Sequence, residues 1–199
     1  MRINLGRPTP SGSKICRPAQ PKLGDPVRGR THHRCQEKGT AIIANTYTQI
    51  YIHIVYAVRW RESLIAKQWK ERLQKYTTGI VQNQGHKLLA INTMPDHAHI
   101  FIGMRPDVAL SDLVRDMKRD STSFVNDELR PGGRFAWQEG FGAFSYSRSQ
   151  IDSVVKYVFN QEKHHRQRTF REEYESILKE FEVDFDQRYV FKWFDSSYC

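Results

Sequence analysis

Two histidines flank one small apolar residue in the stretch His97-Ala98-His99, and Ile100 and Ile102 follow. Side chains in a β-strand alternate between the two faces, so we expect His97 and His99 on one face and Ala98 on the other. Two imidazoles side by side can chelate a metal ion, whereas a strand that only needs packing would more often carry Val or Thr there. The pair predicts part of a metal site, but it does not identify what the ion acts on.

A second candidate for chemistry is Tyr157, in an amphipathic segment over 150–162 that is predicted to be one helix. Tyr157 lies outside the apolar stripe of this segment, and Gln161 lies one turn further on, beside it. Because exposed tyrosines are common on helices, this spacing alone leaves a purely structural role open. The apolar stripe consists of Ile151, Val154, Val155, Val158 and Phe159.

The elements that must position these residues follow the order strand, helix, strand, strand, helix, strand. Alternating side chains predict strands over 47–58 and 97–104. Further strands are predicted over 87–93 and at the end of the aromatic, glycine-punctuated segment 137–147. Steps of three and four predict helices from Ile65 to about Gly85 and from about Ser111 to Val125. This order is typical of a ferredoxin-like or RRM-like α+β fold, an antiparallel four-stranded sheet with two helices on one face. A helix bearing Tyr157 and a C-terminal helix are predicted to follow.

Composition limits the class of protein. The net charge of +9 favours a polyanionic partner, usually nucleic acid, although a solvated basic surface is about equally consistent with charge alone. The three cysteines lie outside the patterned part of the chain, which argues against a disulfide framework and suits a reducing cytosol. No apolar run has the length of a membrane span, and no secretion signal is apparent, so a cytoplasmic protein is predicted.

The combination of motifs resembles one family. His97-Ala98-His99 is similar to the histidine pair of HUH nucleases, and Tyr157 with Gln161 is similar to the nucleophile and third metal ligand of the single-tyrosine transposases of the IS200/IS605 family. The resemblance runs from about Asn45 to Phe194. It implies a DNA transposase that cleaves and rejoins single-stranded DNA through a 5′-phosphotyrosine. Tyr157 would be the nucleophile, and His97, His99 and Gln161 would bind Mg²⁺ or Mn²⁺.

The resemblance also implies the partners: single-stranded DNA with hairpins at the ends of the element, and a second copy of the chain in a homodimer. Such a protein would be associated with the nucleoid. The resemblance leaves open whether the tyrosine helix completes the active site of its own chain or that of the partner copy. Basic residues predicted to meet phosphates are Arg115, Lys118 and Arg119 on the second helix and Lys156 beside Tyr157.

Three questions remain open from the sequence. His164 and His165 follow Gln161 closely and compete with it as ligands, and His53 on the first strand is at most an outer-shell group. The same topology also serves noncatalytic RRM-like modules that bind single-stranded nucleic acid by stacking bases on the sheet. In a third reading, a metal-bound water cleaves the phosphodiester and Tyr157 is incidental.

Three segments are predicted. Residues 1–44 are rich in Pro and basic residues without an apolar period, which predicts a disordered basic leader. Residues 45–166 would form the HUH transposase catalytic domain, including the tyrosine helix. Residues 167–199 would form a C-terminal helix and an aromatic tail.

Overall fold

The computed structural model describes residues 47–59, 65–129, 133–186 and 190. The predicted leader over 1–44 and nearly all of the aromatic end over 189–194 lie outside these residues. Within them, no helix combines the length and the apolar character needed to cross a membrane.

Four antiparallel strands form one sheet in the order β2-β3-β1-β4. This is the predicted ferredoxin-like arrangement, in which the first and third strands lie at the centre. The strands are β1 (Tyr51–Ala57), β2 (Lys87–Thr93), β3 (His97–Gly103) and β4 (Gly142–Tyr146). The turn between β2 and β3 is short, and it closes with a hydrogen bond of 2.8 Å from the Met94 N–H to the His97 carbonyl.

One face of the sheet carries two helices, α1 (Lys67–Asn83) and α2 (Leu110–Phe124), and a short π-helical turn (Val125–Leu129) extends α2. The main core lies between these helices and the sheet. On α1, Thr77 is buried whereas Tyr76 is 39% exposed. Buried residues of this core include Ile54, Tyr56, Ala98, Ile100, Ile102, Leu73, Leu113 and Met117.

The opposite face of the sheet is covered by two further helices. Residues 150–162 do not form the single helix that was predicted. A 3₁₀ turn (Arg148–Gln150) leads into α3 (Ile151–Phe159), Asn160 interrupts the helix, and α4 (Gln161–His164) follows. A capping box between Ser147 and Gln150 begins the 3₁₀ turn.

The last helix, α5 (Phe170–Glu180), begins with a capping box between Thr169 and Glu172. Its apolar stripe packs on Val55 and Ala57 of β1 and on Phe144 of β4. This confirms the predicted C-terminal amphipathic helix. The sheet face that carries the histidines is therefore enclosed by α3 and α5, and is not an open platform of the RRM type.

Candidate metal and tyrosine site

Strand β3 places both histidines on the face that α3 and α5 cover, as the alternation of its side chains predicts. His99 lies opposite Val55 of β1, and His97 lies opposite Ala57. Both imidazoles are almost fully buried, with exposed fractions of 1% for His97 and 0% for His99.

The outer ring nitrogens of the two histidines are held by neighbouring side chains. His97 Nδ1 lies 2.7 Å from Asp96 Oδ1, and His99 Nδ1 lies 3.0 Å from His53 Nε2. Partners of this kind fix the orientation of imidazoles that bind metals. His53 thus contacts His99 on the side away from the cluster, where an outer-shell group would lie. The Nε2 atoms of His97 and His99 are left to point toward a common centre.

Two more side chains reach this centre from the C-terminal part of the chain. One atom from each of His97, His99, His165 and Glu173 lies within 4.8 Å of the others. His165 Nε2 lies 3.1 Å from His97 Nε2 and 3.0 Å from Glu173 Oε2. His99 Nε2 lies 3.9 Å from the same carboxylate oxygen.

Glu173 was not foreseen from the sequence, although the sequence contained a signal for it. In α5 it lies three residues after Phe170 and four before Ile177, both of which are buried. It therefore occupies the apolar stripe of the helix, and its exposed fraction is only 7%. A carboxylate on a buried helix face needs partners, because an unpaired charge there is costly. This buried charge makes Glu173 a candidate functional residue.

Tyr157 and Gln161 meet the same carboxylate. The Tyr157 hydroxyl donates a hydrogen bond to Glu173 Oε1, and Gln161 Nε2 donates to that oxygen over 2.9 Å. The Tyr157 ring lies 6.0 Å, centroid to centroid, from the ring of His99. The predicted nucleophile, the predicted histidine pair and Gln161 thus come together within one chain.

The two adjacent histidines after Gln161 have different surroundings. His165 belongs to the cluster of metal-ligating atoms. The His164 ring packs beside Tyr157 instead, with centroids 5.2 Å apart. His165 is therefore the one that competes with Gln161 as a ligand.

Burial sets the protonation of the site. It lowers the pKa of His53 to about 4, and it holds the pKa values of His97 and His99 below the usual range. Burial, followed by the negative charge of Glu173, raises the pKa of Tyr157. Burial alone would raise the pKa of Glu173, but hydrogen bonds from its neighbours keep it below its usual value. The site thus combines neutral imidazoles, a carboxylate and a protonated phenol.

These residues fit a divalent metal ion. Within the described part of the chain, the buried atoms without a hydrogen-bond partner include His99 Nε2 and Glu173 Oε2 in the cluster and Gln161 Oε1 on the neighbouring helix. Buried polar atoms are usually paired, so such atoms call for a ligand. Imidazole nitrogens and carboxylate or amide oxygens are donors that divalent ions accept. His97 and His99 would hold the ion from the sheet.

A cleft of about 340 Å³ opens beside the Tyr157 ring, between α3 and α5. Its wall is mixed in character, with aromatic, basic and acidic side chains. It reaches the candidate site through Tyr157 and Glu173. Other lining residues are Tyr146, Ser153, His164, Arg168, Ser176 and Glu180.

The basic residues predicted to meet phosphates fall into two groups. Those of α2 lie beyond the sheet from the histidines, because α2 packs on the opposite face. Arg115 pairs with Asp112, and Arg119 pairs with Asp116 and Asp120. Lys118 donates to the carbonyls of Gln138 and Gly140, and burial lowers its pKa to about 8. Lys156 is exposed on α3, the helix that bears Tyr157.

Comparisons with known proteins found one matching family and several similar proteins. The profile of a family described as IS200-like transposases matches residues 46–161. The chain is similar to the ISDra2 transposase TnpA of Deinococcus radiodurans, with 20% identity over 118 residues that cover 57% of this chain and 84% of that protein.

Two solved structures are also similar in part. One is the crystal structure of a Deinococcus radiodurans R1 protein described as a transposase, with a TM-score of 0.46 and 20% identity over 59% of this chain and 94% of that one. The other is a REP-associated tyrosine transposase bound to a REP hairpin, with a TM-score of 0.48 and 16% identity over 60% of this chain and 71% of that one.

Proposed function

Because the chain belongs to the family of IS200-like transposases, we propose that it cleaves and rejoins single-stranded DNA at the ends of an insertion sequence through a covalent bond to Tyr157. One observation carries this proposal. The Tyr157 hydroxyl donates a hydrogen bond to Glu173, and the other oxygen of this carboxylate lies among the nitrogens of three histidines. A nucleophile and a metal-binding cluster are thus adjacent, as phosphodiester cleavage requires.

The bond changes and proton transfers of this reaction involve Tyr157 and Glu173. The Tyr157 oxygen attacks the scissile phosphorus, the bond from phosphorus to the 3′-oxygen breaks, and a 5′-phosphotyrosine forms. The phenol proton passes to Glu173, whose Oε1 accepts the hydrogen bond from Tyr157, and from Glu173 through solvent to the departing 3′-oxygen, which leaves as a 3′-hydroxyl. The energy of the ester is retained, so a 3′-hydroxyl can attack the phosphotyrosine and rejoin the strand without ATP.

Mg²⁺ or Mn²⁺, when bound, would neutralise charge on the scissile phosphate and orient it for attack. His97 and His99 would hold the ion, and Gln161 would contribute its carbonyl oxygen as the family pattern implies. The buried Gln161 Oε1, unpaired within the described residues, supports this role. Asp96 and His53 would fix the orientation of the His97 and His99 rings by contacting their Nδ1 atoms.

The DNA would approach along α3. The cleft beside Tyr157 is open to solvent there, and Arg168 lies in its wall. Lys156 is exposed on the same helix and would contact phosphate. Arg115, Lys118 and Arg119 would contact more distant phosphates, such as those of a hairpin that extends around the sheet. Their pairing with acidic and carbonyl groups supports only a weaker contribution from them.

The family resemblance implies a homodimer. The proximity of Tyr157 to the histidines of its own chain supports cleavage in cis, so that each copy would hold a complete set of groups. A dimer would then serve to bring two DNA ends together for strand transfer.

Denaturing electrophoresis tests the proposal. The full chain is incubated with single-stranded DNA that carries candidate element ends, in the presence of Mg²⁺ or Mn²⁺. We expect a covalent adduct that survives denaturation, requires the ion and disappears in Tyr157→Phe. Tyr146→Phe is the matched control, because Tyr146 lines the same cleft but does not contact Glu173 in the described structure; it should retain the adduct.

The alternatives give different results. Cleavage without an adduct would show that water is the nucleophile and would refute the role of Tyr157. Binding of single-stranded nucleic acid without an ion, and without any cleavage, would support a noncatalytic module. An adduct that persists in Tyr157→Phe would show that another residue is the nucleophile.

A further inference from the structure

We propose that His165 and Glu173 are direct ligands of the ion, so that the centre is a site of three imidazoles and one carboxylate that selects a transition-metal ion over Mg²⁺. The presence of an ion rests on the proposed function. The ligand set and the choice of metal go beyond it, because the family pattern implies only His97, His99 and Gln161.

The distances between the ligating atoms carry the first part of this inference. Adjacent ligands that lie 2.0–2.1 Å from one ion are about 2.9 Å apart in octahedral geometry and about 3.4 Å apart in tetrahedral geometry. Three separations in the cluster are 3.0 Å, 3.1 Å and 3.9 Å. The four side chains therefore surround a volume of the size of one metal ion.

The surroundings of the carboxylate carry the second part. Glu173 is 7% exposed, and its Oε1 already accepts hydrogen bonds from Tyr157 and Gln161. Its Oε2 faces His99 and His165. Such a carboxylate gains most from a cation at Oε2, because this oxygen is buried and has no hydrogen-bond partner among the described residues. Gln161 would then also brace Glu173 through its amide nitrogen.

The donor chemistry determines the class of ion. Mg²⁺ prefers oxygen ligands in octahedral geometry and retains several waters. Three imidazoles and one carboxylate suit Mn²⁺, Co²⁺ or Zn²⁺ better. Glu173 would link the ion to the nucleophile, since one of its oxygens would bind the metal while the other holds the Tyr157 hydroxyl.

Calorimetric titration of the full chain with Mn²⁺ and with Mg²⁺, without DNA, tests the ligand set. We expect one Mn²⁺ to bind, at least about 100-fold more tightly than Mg²⁺. His165→Ala and Glu173→Gln should each weaken Mn²⁺ binding by about 100-fold or more, because even outer-shell partners contribute 10- to 100-fold. His164→Ala is the matched control and should change the affinity by less than about threefold.

A measurement on the unaltered protein tests the ligand set even if the variants fail to fold. Electron spin echo modulation of bound Mn²⁺ counts the coordinated imidazoles, and three are expected. Two imidazoles, unchanged affinity in both His165→Ala and Glu173→Gln, equal affinity for Mg²⁺, or no Mn²⁺ binding would each overturn the inference. If Mn²⁺ binds as expected but no DNA adduct forms at Tyr157, the proposed function fails and the ligand set stands.

Discussion

The two faces of the sheet are built from the same strands but serve different purposes. Toward α1 and α2, β3 presents Ala98, Ile100 and Ile102, and the core between them is apolar. Toward α3 and α5, the alternate positions of the same strand present His97 and His99, which face a carboxylate and a tyrosine hydroxyl. One strand thus supplies stability on one face and chemistry on the other.

The difference shows where the molecule gives up stability for function. On the apolar face, close packing stabilises the fold without any ligand. On the histidine face, buried atoms such as His99 Nε2 have no hydrogen-bond partner in the described residues. Burying such atoms is unfavourable until an ion or a substrate binds, which is common at active sites. Mutations on the two faces should therefore have separable effects.

The largest effect is expected from His99→Ala. Loss of this proposed ligand should lower metal-dependent cleavage of single-stranded DNA by at least about 1,000-fold, because the ion would no longer hold the phosphate in line with Tyr157. His97→Ala should act in the same way. Single-turnover cleavage at saturating Mn²⁺ measures this effect, and full activity in either variant would remove that residue from the ligand set.

A change on the apolar face should have the opposite profile. Leu113 lies on the buried face of α2 and is fully buried. Leu113→Ala should therefore lower the free energy of unfolding by about 3 kcal/mol, because it removes buried apolar surface and leaves a cavity. Mn²⁺ affinity in the folded variant should stay unchanged. Urea unfolding and metal titration check the two halves of this prediction. A loss of metal affinity as large as the loss of stability would show that the faces are not independent.

Acid should destabilise the protein through the histidine face. Burial lowers the pKa of His53 from 6.5 to about 4, so the unfolded state binds the proton more tightly. The stabilising contribution is present above pH 6.5 and is lost as the pH falls toward 4. From His53 alone, the free energy of unfolding should fall by about 2 kcal/mol between pH 7 and pH 5.

Urea unfolding in the presence of a chelator at these two pH values measures the loss of stability in acid. His53→Gln should show a smaller decrease, because its side chain does not titrate. His97 and His99, whose pKa values are also lowered, should keep part of the dependence in that variant. A stability that is equal at both pH values would contradict the neutral, buried state of the imidazoles.

The smallest effect is expected on the affinity for single-stranded DNA. Lys156→Gln should weaken binding of single-stranded DNA about threefold. It should also lower the number of counterions released on binding, read from the salt dependence of the affinity, by about one. Arg119→Gln should have less effect, because Arg119 already pairs with Asp116 and Asp120. Fluorescence anisotropy at several salt concentrations compares the two variants. A larger effect of Arg119→Gln would indicate that the DNA runs over the α2 face.

Local patterns predicted most of the fold. The second strand was predicted with the bounds that β2 has. Alternation oriented His97 and His99 correctly, because strand periodicity depends only on neighbouring residues. The break at Asn160 was missed, because a polar residue between two helical segments is compatible with one continuous helix. Tyr157 and Gln161 were expected near the histidines from the resemblance to a family, and the described structure brings them there.

The other half of the cluster was not predicted. Glu173 reaches the site because α5 folds back across the sheet, and local periodicity does not report such a long-range contact. His165 was recognised only as a competitor of Gln161, since two adjacent histidines in a sequence do not reveal which one points inward. The structure separates them, with His165 in the cluster and His164 against Tyr157.

The most direct test of the account is to locate the covalent bond to DNA. The adduct formed with single-stranded DNA and Mn²⁺ is digested with a protease and a nuclease, and the modified peptide is sequenced by mass spectrometry. The account predicts a 5′-phosphate linked to Tyr157. A bond to any other residue, or hydrolysed DNA without a bound nucleotide, would contradict it.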